Sequence, residues 1–105
     1  MNIIYSRQFL DDALSALDYI ENNLSNPSAS ESLKKNLFEN IDRLKDSPYL
    51  GESLPSVLCI DDSDLRRLVV KNYILVYEVS ESTVIIQRLF YGGQDWKSIL
   101  GNQNL

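Results

Sequence analysis

At Leu65 the hydrophobic rhythm of this chain changes from helical to strand-like, and it stays strand-like as far as Tyr91. Three runs carry the new period: Leu65–Lys71, Tyr73–Val79 and Val84–Tyr91, all rich in β-branched and aromatic side chains. Lys71-Asn72 predicts a tight turn between the first two, because Asn tolerates positive φ, and Ser80 to Thr83 makes the second turn. Neither spacer can hold a crossover, so the three strands have to be antiparallel. Gly92-Gly93 ends the sheet, and Asp95–Leu100, carrying Trp96, Ile99 and Leu100, predicts one or two helical turns.

Upstream the spacing is helical. Residues 2–5 alternate weakly, as a short strand would, and Ser6 then reads as an N-cap with Asp11 and Asp12 early in the helix that follows. Leu10, Ala13, Leu14, Leu17, Ile20 and Leu24 predict its buried stripe. Asn26-Pro27 breaks the pattern, and Ser28 with Glu31 stands at capping-box spacing for a second helix. Leu33, Leu37, Phe38, Ile41 and Leu44 line one face of that helix, and Ser47-Pro48 ends it. Residues 48–64 are irregular: Pro48, Gly51 and Pro55 punctuate them, and Asp61-Asp62-Ser63-Asp64 closes them. Within them Val57–Ile60 is apolar, either a brief strand or a plug against the core. The order β-α-α-β-β-β-α predicts an α+β fold: an N-terminal strand and helix hairpin packed on an antiparallel sheet, with a short C-terminal helix. One hairpin covers one face of a sheet, so the other face is expected to stay open to a partner.

Composition narrows the chemistry. The chain has 105 residues, enough for one core, and one domain spanning residues 1–105 is expected. It has no histidine, which removes imidazole-based triads and His-ligated zinc. Its single cysteine, Cys59, excludes an internal disulfide and a thiolate cage, and reads as a small buried hydrophobe. No metal and no cofactor are expected. The apolar runs fall far short of the ~20 residues that cross a bilayer, so no membrane association is expected. Asn2–Arg7 lacks the order of a secretory leader, and with a lone cysteine this places the chain in the cytoplasm. The net charge of −5 weighs against bulk nucleic-acid affinity. The charge is uneven, however. The helical half and the loop after it are acidic, whereas residues 65–105 set Arg66, Arg67, Lys71, Arg88 and Lys97 against Glu78, Glu81 and Asp95.

The stretch from Leu65 through Lys71-Asn72-Tyr73-Ile74 to Val79 resembles the core signature of the RelE/ParE toxin superfamily. So does Ile86-Gln87-Arg88-Leu89-Phe90-Tyr91-Gly92-Gly93-Gln94-Asp95-Trp96, with Ile99-Leu100 following. Ala13 and Leu17, Asn26-Pro27, Ser47-Pro48 and Gly51 agree in order and spacing, so the resemblance spans almost the whole chain. It implies the toxin of a bacterial type II toxin–antitoxin pair, held inactive by a cognate antitoxin and meeting operator DNA only through that antitoxin. Two activities occur in the superfamily. ParE-like members poison DNA gyrase; RelE-like members cut mRNA on the ribosome without a metal. Cleavage of that kind needs a base for the 2′-OH, cations for the phosphorane and an acid for the leaving oxygen.

Carried over position by position, the resemblance puts Arg67 where such cutters hold a catalytic lysine. Ile74 stands where they hold an arginine, and Gln94 where a basic residue follows the last strand. Neither replacement can balance phosphate charge. The sequence therefore favours a ParE-like grip on a protein target. The alternative is a ribosome-dependent endoribonuclease using Arg67, Arg88 and Tyr91, and a third reading is an inactive relative that only binds an antitoxin-like regulator. Each singled-out residue also has a structural reading. Arg67 pairs with Asp64 or Glu78, Arg66 forms a salt bridge, and Arg88 finds a carboxylate in the fold or on a partner. Tyr91 packs at a strand end, and Trp96 anchors the C-terminal segment. Tyr73 and Tyr77 share parity with Leu75 and Val79 and are expected beneath the helices. Ile74 and Val76 then form an apolar groove on the open face. With Gln94, Trp96 and Lys97 they make the expected antitoxin- or target-binding surface.

Overall fold

Ser6 fixes where the first strand stops and the first helix starts. Its backbone is extended, and its hydroxyl oxygen accepts from the Phe9 N–H at 3.0 Å. The same hydroxyl donates to the Gln87 carbonyl at 2.6 Å, tying the corner to the far end of the chain. Strand β1 (Asn2–Tyr5) precedes this corner and helix α1 (Arg7–Asp18) follows it. Helix α1 runs on into one wider π-type turn over Tyr19–Asn23. Ser25 takes φ of 50°, and the side chain of Asn26 caps helix α2 (Pro27–Leu44) by accepting from the Ala29 N–H. The cap is therefore Asn26 rather than Ser28. Pro27 sits in the first turn, where its missing N–H costs nothing. The computed structural model describes residues 1–59 and 63–103, so Ile60 of the apolar run and the Asp61-Asp62 pair lie outside the described residues.

Strands β2 (Glu52–Ser53), β3 (Asp64–Val70), β4 (Tyr73–Ser80) and β5 (Thr83–Tyr91) join β1 in one sheet of order β1-β5-β4-β3-β2. The three predicted strands are antiparallel neighbours, with Val70 opposite Tyr73 and Ser80 opposite Thr83 across two-residue turns. The positive φ falls on Lys71 (54°) and Glu81 (50°), not on Asn72. β1 pairs with β5 in parallel, from Asn2↔Thr83 to Tyr5↔Ile86, so the sheet is mixed. A short helix, α3 (Trp96–Gln103), closes the described chain.

The helix hairpin covers one face of the sheet. Phe9, Leu33, Leu37 and Ile41 meet Leu75, Tyr77, Val79 and Ile86 there, and Tyr73 packs at the margin. This is the side expected for Tyr73 and Tyr77. Phe9, Ala13, Ala16 and Leu17 of α1 and Ile20 of the turn after it reach the core, so Ala13, Leu17 and Ile20 of the predicted stripe lie where expected. Leu10 (47% exposed), Leu14 (66%) and Leu24 (55%) lie outside the core, and Phe38 of α2 is likewise exposed.

The second face is not open. Leu54, the 3₁₀ turn Ser56–Leu58 and α3 lie across it, packing Leu58, Trp96 and Leu100 on Leu65, Ile74, Val76 and Phe90. The run at Val57–Cys59 is thus a plug and not a strand, with Val57 turned out to solvent and Leu58 turned in. Tyr77 braces the loop leading into β2. Its hydroxyl donates to the Pro48 carbonyl at 2.8 Å and accepts from the Gly51 N–H at 2.7 Å. Gly51 is required there, because a Cβ would come within 2.6 Å of the Arg67 carbonyl. Burial pushes the Tyr77 phenol up from its usual pKa of 10.0.

Candidate functional site

A β-bulge at the middle of β5 arranges the residues of interest. Val76 pairs with Arg88 and Tyr77 with Ile86, which leaves Gln87 without a register position opposite it on β4. Beyond the bulge the strand parity is reversed, so Arg88 and Phe90 share the α3 side with Val76 and Ile74. β1 also stops here, so among the described residues no strand lies beside the outer edge of β5 beyond Ile86.

Asp12 of α1 closes that edge. It accepts from Arg88 Nε at 2.7 Å and Nη2 at 3.1 Å, and from the Leu89 N–H at 3.0 Å. Both side chains of the pair are largely buried, at 13% and 18% exposed, and the guanidinium lies 4.7 Å from the Phe90 ring. Among the described residues, Arg88 Nη1 finds no hydrogen-bond partner. One unit farther along the edge, the Tyr91 N–H donates to Gln94 Oε1 at 2.8 Å.

Arg67 shares a rung with Arg88 through Val76, which sits between them. Their Cα atoms are therefore about 10 Å apart, two strand spacings. Arg67 bonds Glu52 through Nη2 at 2.9 Å and Nε at 3.2 Å, and its guanidinium lies 5.8 Å from the Trp96 ring. Its partner is thus neither Asp64 nor Glu78. Asp64 pairs with Arg66, which also donates to the Gly51 carbonyl, and Glu78 accepts from the Gln87 amide. Tyr91 stands apart from both arginines. It packs edge-on against Tyr73, with centroids 5.8 Å apart at 71°.

Ile74 and Val76 do not form an exposed groove. They are 8% and 0% exposed beneath α3, because Trp96, stacked on Phe90, and Leu100 fill that side. Trp96 is the anchor that the sequence predicts, Lys97 lies over its ring at 5.6 Å, and Gln94 is exposed and bonded to Tyr91. Asp12, Glu52 and Tyr19 are the residues sequence reading missed. Asp12 lies 76 positions from Arg88, and no local pattern links the two.

Two clefts flank Tyr91. One, of about 280 Å³, lies between α1 and the end of β5 and is bordered by Asp12, Ser15, Tyr19, Tyr73, Tyr91 and Gln94. Burial, then the neighbouring Tyr91 and Tyr19, raises the Tyr73 phenol above its usual 10.0. The other, of about 240 Å³, lies at the β3–β4 turn between Val69, Lys71, Ile74 and Gly92, and Lys71 is its one cation. Among the described residues no group of three His, Cys, Asp or Glu side chains is placed to hold a metal, and no helix is long and apolar enough to cross a membrane.

Comparison with known proteins matches residues 3–96 to the family described as ParE toxin of type II toxin–antitoxin system, parDE. A solved structure from the chromosomal ParDE system of P. aeruginosa superposes with a TM-score of 0.68 at 17% identity, covering 87% of this chain and 95% of that one. The archaeal RelE–RelB complex from Pyrococcus horikoshii OT3 gives a TM-score of 0.59 at 21% identity, covering 89% and 96%. At these identities the likeness is one of fold. No curated protein matches the chain.

Proposed function

This chain belongs to the ParE toxin family of type II toxin–antitoxin systems, and we propose that it stops growth in the cytoplasm by gripping a protein target, DNA gyrase first among candidates, until a cognate antitoxin covers it. The reading rests on one observation: both arginines that RNA cleavage would recruit are already held by carboxylates of the fold, Arg88 by Asp12 and Arg67 by Glu52. The remaining positions where RelE-like cutters carry cations offer a buried Ile74 and a neutral Gln94 bonded to the backbone. A phosphorane would meet too little free positive charge here. An antitoxin partner is supported by the archaeal relative of the same fold, solved as a RelE–RelB complex, and operator DNA would be reached through that antitoxin.

A supercoiling assay with purified gyrase tests the target. Excess toxin should block supercoiling, and added antitoxin should restore it. Unaffected supercoiling together with toxin-dependent cutting of mRNA on ribosomes would overturn the reading in favour of a nuclease.

A further inference from the structure

The cleft between α1 and the end of β5 has the chemistry of a receptor for one cationic side chain. At about 280 Å³ it lies below the ~300–1,000 Å³ typical of small-molecule pockets. An added strand is excluded as its occupant, because Asp12 and Gln94 already take the Leu89 and Tyr91 N–H groups on that edge. What is left is an aromatic enclosure. Tyr73 and Tyr91 stand edge to face, and Tyr19 borders the same space from α1. Tyr19 opens the wider turn, its carbonyl accepting from the Leu24 N–H, and both Tyr19 and Tyr91 are 52% exposed. Turns of this type recur at functional sites.

Charge decides which ligand such walls prefer. No Lys or Arg borders the cleft, and the carboxylate of Asp12 is already balanced by Arg88. Along α1 and the turn after it, Asp11, Asp18 and Glu21 face only Arg7 in opposite sign. An anion would find no counter-charge, whereas a cation would find three aromatic rings, phenol and Ser15 oxygens as acceptors, and an acidic helix beside it. A guanidinium suits this better than an ammonium, since it is planar, stacks on rings and gives up water more readily.

We infer that this cleft receives an arginine side chain of the antitoxin. The inference deepens the toxin–antitoxin reading and rests on it. NMR of the tyrosine rings in the intact protein, titrated with Nα-acetyl-arginine methylamide and separately with its neutral citrulline counterpart, tests the chemistry. The arginine probe should shift the Tyr19, Tyr73 and Tyr91 rings saturably, with citrulline far weaker. Tyr19→Ala should weaken binding roughly tenfold, and Tyr91→Phe, which keeps the ring, should not. Equal response to citrulline, or no ring response, overturns the site. The affinity of the cognate antitoxin for wild type and for Tyr19→Ala tests the partner: a loss of roughly tenfold is expected, and unchanged affinity overturns the assignment. If wild type binds no antitoxin at all, it is the toxin–antitoxin reading that fails, and the probe titration still judges the cleft.

Discussion

Asp12 is the residue on which most of the site depends. It accepts three hydrogen bonds, two from Arg88 and one from the β5 backbone. Removing it strands a guanidinium that is only 13% exposed and leaves the Leu89 N–H unpaired. Asp12→Ala should therefore cost about 3–5 kcal/mol. Arg88→Met should cost less, since the Asp12 carboxylate left behind still accepts from the Leu89 N–H and is 18% exposed. Urea unfolding of both single variants and the double variant measures this, and an Asp12→Ala cost below that of Arg88→Met would contradict it. At this scale sequence reading was uneven. That Arg66 would be structural and that Trp96 would be an anchor could be read from local pattern. The partner of Arg88 could not, because the contact is made by topology across 76 residues.

At the level of elements, the helices, the three long strands and their antiparallel order were legible from period and spacer length alone. Phase was legible only in part. Of the stripe that sequence spacing marks, Ala13, Leu17 and Ile20 pack on the core, whereas Leu10, Leu14 and Leu24 are exposed and Phe9 and Ala16 face inward instead. The plug on the second face was also hidden. Leu54, Leu58, Trp96 and Leu100 come from an irregular loop and an eight-residue helix, neither long enough to show a period. The turns carry a testable strain. Glu81 holds φ of 50°, a region that costs a non-glycine residue roughly 1–2 kcal/mol. Glu81→Gly relieves it but adds entropy to the unfolded chain, so a net gain of about 0.5 kcal/mol is expected, or roughly 2–4 °C in Tm. Calorimetry checks the sign, and a lowered Tm would show that the turn is not strained.

As a whole the molecule measures 42 × 30 × 21 Å, longer than a sphere of its size. Helices lie on one side of the sheet and the plug on the other, each with its own apolar cluster. The plug is held chiefly by Trp96, 7% exposed and stacked on Phe90. Trp96→Ala should cost about 3–5 kcal/mol and uncover Ile74 and Val76 together. Denaturant titration and hydrogen exchange at Ile74 and Val76 measure both effects, and loss of stability without faster exchange there would count against the plug.

The borders of the sheet have one more consequence. β4 is interior, and the two outermost strands run only four residues (β1) and two (β2), so β3 passes β2 at Leu68–Val70 as β5 passes β1. Where β5 emerges past β1, a carboxylate and a carboxamide occupy the N–H groups that another chain would need. Short or sealed margins give foreign strands little template for growth into fibrils. A chain of the ParE toxin family thus carries part of its protection against self-aggregation in its own backbone edges.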